Sequence, residues 1–481
     1  MTTIPSIDSL RTQFSQAGQG HVFRFWDDLN AEDQAKLLQR ASEIDLQEVA
    51  QLVETHLKGG GAHQQGFDHL EPAPYISLPE NGGDAAKWKE AEAVGEQALR
   101  AGRVAAFTVA GGQGTRLGYD GPKGTFPVTP VTQKTLFQVF AEKIARSAER
   151  FSSDIHWFIL TSEINNDQTV NAFEENDFFG LNPDQVHFIV QGLVPAVDAD
   201  GKILLSDQAT IAMTPDGHGG SLRALVRSGA TALMAEKGID CISYFQVDNP
   251  LIPCLDPAFI GFHILGNSEC SSKMIPKAYP LEKVGHFCLQ NGDTVVIEYS
   301  DLPEEKQQET LPDGSLRFVS GSVAIHVFDR AFIERVGGGS DAKLPFHRAD
   351  KKIPFVNARG EIVKPEASNG IKFEMFVFDA LPLAKNPVII EGARAENFSP
   401  VKNAEGVDSP KTCKEDQLRQ FAGWLKAAGV DLAKDDNGTP AITFEISPRF
   451  AADKQDFVSQ WEKLSPQTEI CDGVVIQGEG M

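Results

Sequence analysis

Helical periodicity dominates the first part of the chain. Apolar Leu37, Ala41 and Ile44 recur at helical spacing, with acidic side chains and glutamines between them. Asn30 precedes this stretch, and asparagine is a favoured residue at the N-cap of a helix. A further helical stretch follows later in the same region. We therefore expect residues 1–100 to form an N-terminal helical region.

Short apolar runs alternate with helical stretches from residue 101 to residue 390. VAAFTVA (104–110), HWFILTS, VHFIVQ and CISYFQVD are continuous runs, as is typical of strands buried on both faces. One long helix is expected at 219–238. This alternation predicts an α/β domain with a parallel sheet covered on both faces, and ligands bind such sheets at the carboxyl ends of the strands.

The texture changes again near residue 390. A loop-rich passage is followed by a helix at DQLRQFAGWLKAAG (416–429) and by short strands near PAITFEI (440–446). We expect a small C-terminal domain at 391–481. The three predicted domains are therefore residues 1–100, 101–390 and 391–481.

Charge and composition limit the classes of binding partner that we expect. The 481 residues carry a formal net charge of -23, which argues against a nucleic-acid partner. Six cysteines contain no C-x-x-C pair, so we expect reduced thiols in a cytoplasmic protein. No run of 18 apolar residues is present, and we expect no membrane partner. The oligomeric state stays open.

One loop concentrates glycine and positive charge. VAGGQGTRLGYDGPKGTFPV (109–128) contains six glycines together with Arg116 and Lys123. Backbone N–H groups in such a strand-to-helix turn form an anion nest, and the two cations suit a nucleoside triphosphate. The text lacks the GK[ST] of a P-loop and the third glycine of a dinucleotide fingerprint. A tight turn without a ligand is the alternative.

This loop, together with other motifs in the same order, resembles the sugar-nucleotide pyrophosphorylases. The similar passages include FSQAGQGHVFRFWDDL, FIVQGLVPAVDADGKILL, VIEYSDL, NGIKFEMFVFD and ENFSPVKNAEG. They span most of the chain and favour the UDP-N-acetylhexosamine and UDP-sugar pyrophosphorylase branch. The resemblance implies an α/β fold of the nucleotide-diphospho-sugar transferase class, Rossmann-like and of GT-A type, with a mixed sheet.

The resemblance also implies a reaction. UTP and a hexose-1-phosphate would yield a UDP-sugar and pyrophosphate, which makes the chain a uridylyltransferase. Arg116, Lys123 and Lys402 would neutralise the phosphates as catalytic residues. On its own, Lys402 would be interpreted as a solvated lysine. The implied nucleotide-binding residues are Ala110, Gly111, Gly112, Gln191, Gly192, Pro215, Gly217 and His218.

The strand CISYFQVD ends in an acidic residue. Asp248 at this edge of the sheet would be costly without a cation, and Mg²⁺ takes a carboxylate together with phosphate oxygens. The alternative is an aspartate that caps the turn before Pro250. The resemblance implies that Asp248 holds Mg²⁺.

The sugar pocket is implied by a third group of residues. Phe376 and Phe378 lie two apart and would share one strand face, where core packing is the simpler explanation. The implied sugar-binding residues are Asn249, Glu298, Tyr299, Ser322, Phe376 and Phe378.

Two positions depart from the branch. This chain has GHGG around His218, where the N-acetylhexosamine members usually have GNGG, and Ser322 stands where they have Asn. We expect N-acetylglucosamine-1-phosphate as the first substrate, with glucose-1-phosphate or a broad range of sugars as the alternative. Two further functions stay open. A sugar-transferring enzyme would need a DxD metal motif, but we interpret the DAD at 198–200 as a turn; the other is an inactive nucleotide-sugar sensor.

Overall fold

The computed structural model describes residues 5–58, 69–338, 343–464 and 469–478. The chain divides into two compact units built from alternating segments. The first unit is Met1–Gly66, Gln191–Ser221 and Leu344–Val377; the second is Phe67–Val190, Leu222–Lys343 and Phe378–Met481. The predicted boundaries after residues 100 and 390 divide the chain along its sequence, and they stay a prediction.

The helices of the described residues are as follows, in chain order: α1 (Ile7–Gln16), α2 (Ala31–Ser42), α3 (Leu46–Val53), α4 (Ala85–Arg100), α5 (Leu136–Phe151), α6 (Asn166–Glu175), α7 (Gly220–Arg227), α8 (Ala230–Glu236), α9 (Pro257–Leu265), α10 (Glu304–Gln307), α11 (Arg330–Gly338), α12 (Arg394–Asn397), α13 (Pro410–Ala427) and α14 (Lys454–Lys463). None of them is both long enough and apolar enough to cross a bilayer.

The strands of the described residues are as follows, in chain order: β1 (Leu70–Pro72), β2 (Val104–Val109), β3 (Trp157–Thr161), β4 (Val186–Val190), β5 (Leu193–Pro195), β6 (Met213–Pro215), β7 (Cys241–Gln246), β8 (Cys270–Pro276), β9 (Gly285–Gln290), β10 (Asp293–Ile297), β11 (Ser320–Asp329), β12 (Phe346–Lys351), β13 (Phe355–Val356), β14 (Ile362–Val363), β15 (Gly370–Met375), β16 (Val388–Glu391), β17 (Glu445–Ile446) and β18 (Val475–Ile476).

A ten-stranded sheet forms the centre of the second unit. Strands β4, β3, β2 and β7 are neighbours in this order and are all parallel. Strand β11 runs antiparallel to β7, β8 and β9, so the sheet is mixed. The four runs for which the strand–helix alternation predicted a parallel sheet are these four parallel strands, so that prediction is confirmed for them. The antiparallel strands, including the β9–β10 hairpin, make the whole sheet mixed, as the resemblance implies.

The helix expected at 219–238 is two helices. Helix α7 ends at Arg227 and α8 begins at Ala230. Gly229 between them has a φ of 79°, a left-handed conformation that interrupts a right-handed helix. The apolar period continues across the break, which is why the sequence pattern did not reveal it.

Aromatic side chains fill the core on one side of the sheet. Phe137 and Phe140 of α5 and Trp157 of β3 are 0% exposed. The ring of Phe140 lies 5.1 Å from that of Phe245 on β7. Each such side chain contributes about 1.5–3 kcal/mol on burial, so the core firmly fixes the strands whose ends carry the candidate site.

The first unit has its own core. Leu10 and Phe14 of α1 pack in one apolar cluster with Val197 and Phe373. The side chain of Asn30 caps α2 by accepting a hydrogen bond from the Asp33 N–H, which confirms the predicted N-cap. The N-terminal helices thus belong to the same compact unit as β5, β6 and the segment from β12 to β15.

A buried lysine supports the segment after β7. The Nζ of Lys143 on α5 donates to the carbonyl oxygens of Pro250, Leu251 and Ile252 at 2.6, 3.3 and 2.9 Å. The residue is only 6% exposed, and burial lowers the pKa of Lys143. Three carbonyl groups thus depend on one ammonium.

We predict that Lys143→Met lowers the free energy of unfolding by roughly 2 kcal/mol or more, because buried carbonyl groups lose their donor. Urea unfolding measures the change. Lys87→Met, at an exposed position of α4, is the matched control and should stay within about 0.5 kcal/mol of the wild type. Equal stability of the two variants would contradict the role given to Lys143.

Candidate active site

The glycine-rich loop leaves the end of β2 in the second unit. Val109 of β2 is paired in register with Gln246 of β7, so the two parallel strands end side by side. The loop contains two short 3-10 turns, Thr115–Leu117 and Lys123–Thr125. The strand pairing therefore brings the start of this loop next to the segment that holds Asp248.

Hydrogen bonds fold the loop back on itself. The Lys123 N–H donates to the Gly112 carbonyl at 3.0 Å, and the Gly114 N–H donates to the Gly121 carbonyl at 2.9 Å. Asn165, buried at 0% exposure, donates through Nδ2 to the Ala110 carbonyl at 2.9 Å. The loop is thus held in one shape, and Asn165 is a supporting residue that the sequence analysis missed.

A glycine is required where the loop meets the core. A Cβ atom on Gly124 would lie 2.1 Å from the ring of Phe137, which is too close for any side chain. The contact seats the turn containing Lys123 directly on α5. Arg116, in the outer part of the loop, is exposed.

The structure brings two of the predicted residues together. The Nζ of Lys123 lies 3.5 Å from Oδ2 of Asp248, and the two side chains are 11% and 18% exposed. This ammonium shows that the carboxylate of Asp248 is placed where it attracts a cation. The described residues contain no group of three or more histidine, cysteine or acidic side chains suited to a metal. A single carboxylate fits Mg²⁺, which keeps several waters and binds substrate phosphates.

Lys402 lies on a separate turn of the second unit. Its Nζ is 3.9 Å from Oδ2 of Asp408, and its N–H donates to the Asp408 carbonyl at 2.7 Å. Burial raises the pKa of Asp408, while Lys402 lowers it. Nζ of Lys402 also lies 5.5 Å from the centre of the Phe398 ring. Asp408 is a partner of Lys402 that the sequence analysis missed.

Predicted sugar residues of the second unit lie near one glycine. Ser322 of β11 pairs with Gly285 of β9. A Cβ atom on Gly285 would lie 3.5 Å from Cβ of Ser322 and 3.6 Å from Oε1 of Glu298. Cγ1 of Val296 is closer still, at 2.6 Å, so Ser322 and Glu298 both lie near Gly285 but the space beside this glycine is filled. Tyr299 follows at 40% exposure.

Asn249 is placed differently from these residues. It is 5% exposed, its Nδ2 donates to the Asn397 carbonyl at 2.7 Å, and its Oδ1 accepts from the Ser399 N–H at 3.0 Å. The amide of Asn249 is therefore engaged at both ends by backbone groups.

In the first unit, Gln191 is held by the turn that contains Gly217. Nε2 of Gln191 donates to Oδ1 of Asp216 at 3.1 Å and to the Gly217 carbonyl at 2.8 Å. Gly192 follows, and Pro215 ends β6 at an exposed position. With both amide hydrogens engaged, the carbonyl oxygen of Gln191 remains as the group that can accept a hydrogen bond from a ligand.

His218 belongs to a stack of three rings in the first unit. Its ring centre is 5.4 Å from that of Phe376, and the ring of His347 lies 4.5 Å from Phe376. Nδ1 of His218 accepts from the Val377 N–H at 3.1 Å. Burial lowers the pKa of His218 to about 4. The ring is therefore neutral near pH 7, with its proton on Nε2, and it offers a donor there.

Phe376 and Phe378 do not share a strand face. Strand β15 ends at Met375, and a 3-10 helix spans Val377–Leu383. The prediction of a common face is wrong because the chain leaves the sheet one residue before Phe376, so the alternation of a strand no longer applies. Phe378 is 7% exposed.

The DAD sequence forms a turn, as predicted. Oδ1 of Asp198 accepts from the N–H groups of Asp200 and Lys202 at 2.9 and 2.8 Å. Gly201 has a φ of 75°. The first carboxylate is used by its own turn, which does not favour the DxD metal motif of a sugar-transferring enzyme.

Known proteins match this chain over most of its length. The family model described as UTP–glucose-1-phosphate uridylyltransferase matches residues 77–408. The chain belongs to this family. UDP-N-acetylhexosamine pyrophosphorylase-like protein 1 of Xenopus tropicalis is 36% identical over 452 residues, covering 90% of this chain and 88% of the relative. UDP-N-acetylglucosamine pyrophosphorylase of Saccharomyces cerevisiae is 34% identical over 456 residues, covering 91% and 94%.

A solved structure agrees with these relatives. The uridine diphosphate N-acetylglucosamine pyrophosphorylase of Trypanosoma brucei, solved in complex with an inhibitor, is 25% identical to this chain. Its TM-score is 0.83, with 100% of both chains covered. The resemblance to the UDP-N-acetylhexosamine pyrophosphorylases is confirmed, and the chain is a nucleotidyltransferase of the uridylyltransferase type.

We predict that Gly217→Ala raises the KM for UTP by at least about tenfold, because the turn that holds Gln191 must shift. Gly217 has a φ of 83°, and a Cβ there would lie 2.3 Å from the Met375 carbonyl oxygen. Gly314→Ala is the matched control: its φ is 85°, but nothing lies within 4 Å. Steady-state kinetics with both variants separates crowding from backbone strain; equal KM values would contradict the prediction.

We predict that His218→Asn makes the protein less sensitive to mild acid. Because the pKa of His218 is lowered to about 4, the folded state binds fewer protons than the unfolded chain between about pH 4 and 6.5. This histidine therefore costs stability as the pH falls through that window. Urea midpoints at about pH 7.5 and about pH 5 should differ less for the variant than for the wild type. An equal or larger difference would argue against a buried neutral ring.

Proposed function

We propose that this protein transfers the uridylyl group of UTP to a hexose-1-phosphate, releasing pyrophosphate and forming a UDP-sugar. The observation that carries the proposal is the approach of Lys123 to Asp248 at the ends of β2 and β7, beneath a glycine-rich loop. In a chain of this family, a cation and a carboxylate at neighbouring strand ends support a phosphate site there, since ligands bind parallel sheets at these ends.

The mechanism needs positioning and neutralised charge rather than a protein nucleophile. The 1-phosphate oxygen of the sugar attacks the α-phosphorus of UTP in line, a bond to that oxygen forms, and the bond to pyrophosphate breaks. Arg116 and Lys123 offset the charge of the triphosphate and the leaving group. Lys402 offsets charge on the attacked phosphate.

Asp248 is the residue that would hold Mg²⁺. A bound Mg²⁺ neutralises phosphate charge and orients the phosphate oxygens. The ammonium of Lys123 lies 3.5 Å from Oδ2 of the same carboxylate.

Uridine recognition is proposed for the loop start and for the turn of the first unit. The carbonyl oxygen of Gln191 would accept from the N–H of the uracil ring, because its amide hydrogens are engaged by Asp216 and Gly217. The resemblance assigns backbone contacts to Ala110 and Gly111. Gly112, Gly192, Pro215 and Gly217 complete the proposed nucleotide contacts.

N-acetylglucosamine-1-phosphate is the proposed sugar substrate, since both the relatives and the solved structure are named for N-acetylhexosamines or N-acetylglucosamine. Glucose-1-phosphate is the second candidate. His218 offers a donor at Nε2, whereas an asparagine offers both a donor and an acceptor. Ser322 is also shorter than the asparagine of the branch. Proposed sugar contacts are Glu298, Tyr299, Ser322, Phe376 and Phe378.

The fold supports placing the chain in the nucleotide-diphospho-sugar transferase class of GT-A type. The parallel strand order β4, β3, β2, β7, continued by antiparallel β11, is consistent with a Rossmann-like half followed by a mixed half.

Pyrophosphate release tests the function. Purified protein, Mg²⁺ and UTP are mixed separately with the 1-phosphates of N-acetylglucosamine, N-acetylgalactosamine, glucose and galactose. We expect release with N-acetylglucosamine-1-phosphate, and the ranking of the four shows which sugars the protein accepts. Binding of UTP without release from any of the four would favour an inactive nucleotide sensor instead.

We predict that Asp248→Asn lowers kcat by at least about 100-fold, because the phosphates lose a metal ligand. The same assay at saturating Mg²⁺ measures the loss. Asp431→Asn, at an exposed position, is the control and should keep wild-type turnover. Normal turnover of Asp248→Asn would show that the metal assignment is wrong.

A further inference from the structure

The loop after β7 and the segment after α12 are joined by three hydrogen bonds. Nδ2 of Asn249 donates to the Asn397 carbonyl at 2.7 Å, and Oδ1 of Asn249 accepts from the Ser399 N–H at 3.0 Å. The Val401 N–H then donates to the Asp248 carbonyl at 2.8 Å. The residue next to Val401 is Lys402, so this seam ends directly at the catalytic lysine.

Asn249 is the only side chain among those three bonds. It supplies one donor and one acceptor to two backbone groups two residues apart, which an amide can do and a carboxylate cannot. At 5% exposure it has little surface left for a ligand. An unpaired backbone group in this seam would be costly, so the amide fixes the spacing of the two segments.

Both sides of the seam are anchored to the rest of the second unit. Lys143 holds the carbonyl groups of 250–252 from α5. Oδ1 of Asn397 accepts from Nζ of Lys273 at 2.9 Å, and the Ser399 hydroxyl donates to Asp416 at 2.6 Å. Neither segment is free to shift on its own. The Asn249 amide is thus the side-chain link, beside the main-chain bond from Val401 to Asp248, between a segment that carries Asp248 and one that leads to Lys402.

We propose that Asn249 is a positioning residue for uridylyl transfer and not a sugar ligand. Its amide holds the turn of Lys402 at a fixed place relative to the carboxylate of Asp248, so that both act on the same phosphate. The proposal rests on the proposed function for the roles of Asp248 and Lys402. It replaces the sugar contact that the resemblance implied for Asn249.

The two assignments differ in their kinetic consequences. A sugar ligand contributes to binding, so its loss raises the KM for the sugar-1-phosphate. A positioning residue acts through Lys402, so its loss lowers kcat. This effect on kcat disappears once Lys402 has already been removed. Displacement of a catalytic group by about 1 Å is enough to lower the rate by about 100-fold.

A double-mutant cycle with Asn249→Ala and Lys402→Met tests the proposal in the full-length protein. We expect Asn249→Ala alone to lower kcat by about 10- to 100-fold, with the KM for the sugar-1-phosphate within about threefold of the wild type. In the Lys402→Met background the same change should lower kcat by less than about threefold. Asn437→Ala, in an exposed turn, is the control and should leave all constants unchanged.

Two outcomes would overturn the proposal. One is a KM for the sugar-1-phosphate raised more than about tenfold with kcat preserved, which would restore the sugar contact. The other is an undiminished effect of Asn249→Ala in the Lys402→Met background. If Asn249→Ala fails to fold, Asn249→Asp keeps the size and the acceptor toward Ser399 and completes the cycle with the same criteria. A wild-type protein without turnover on any sugar phosphate would instead refute the proposed function.

Discussion

The parallel pairing of β2 with β7 is the constraint on which the candidate site depends. The register between Val109 and Gln246 makes the two strands end side by side. The loops that follow them therefore start next to each other. Lys123 of the first loop and Asp248 of the second lie 3.5 Å apart with little exposure. Two charges this far from water are costly to separate. A phosphate can bind the ammonium of Lys123 and a metal ion can bind the carboxylate of Asp248, so these two ligands together can replace the ion pair.

Support for this arrangement comes from buried side chains rather than from further surface charges. Asn165 holds the start of the glycine-rich loop, Lys143 holds the segment after Asp248, and Asn249 connects that segment to the turn of Lys402. Each of them donates to backbone carbonyl groups. The side chains of Lys123, Asp248 and Lys402 can therefore change partners when ligands bind, while the backbone that carries them keeps its shape.

Much of this could be predicted from the sequence because it depends on local pattern. The strand 104–110, the helices α4 and α5 and the cap at Asn30 follow from apolar spacing and from cap chemistry. The composition of the glycine loop predicted a phosphate site, and that site stays a prediction. Where the pattern was ambiguous the prediction failed: Gly229 divides one apparent helix, and β15 ends before Phe376.

The supporting residues could not be predicted, and the reason is physical. Lys143 and Asn165 donate hydrogen bonds to groups that lie far away in the sequence. Asp408 pairs with Lys402 within one turn, and the shape of that turn is set by contacts with distant residues. Residue type alone does not reveal them, since a lysine or an asparagine on a helix is usually solvated. His218 was found by its place in a glycine turn, but its tautomer follows only from the Val377 N–H.

In the proposed reaction, the sugar phosphate attacks UTP directly and no covalent enzyme intermediate forms. Lys123, Asp248 and Lys402 place charge around the phosphates. Exchange of labelled pyrophosphate into UTP tests this most directly. With UDP-N-acetylglucosamine and Mg²⁺ present, label should appear in UTP by reversal of the reaction. With UTP and Mg²⁺ but no sugar nucleotide or sugar phosphate, no label should enter. Incorporation under the second condition would reveal a uridylyl-enzyme and contradict direct transfer.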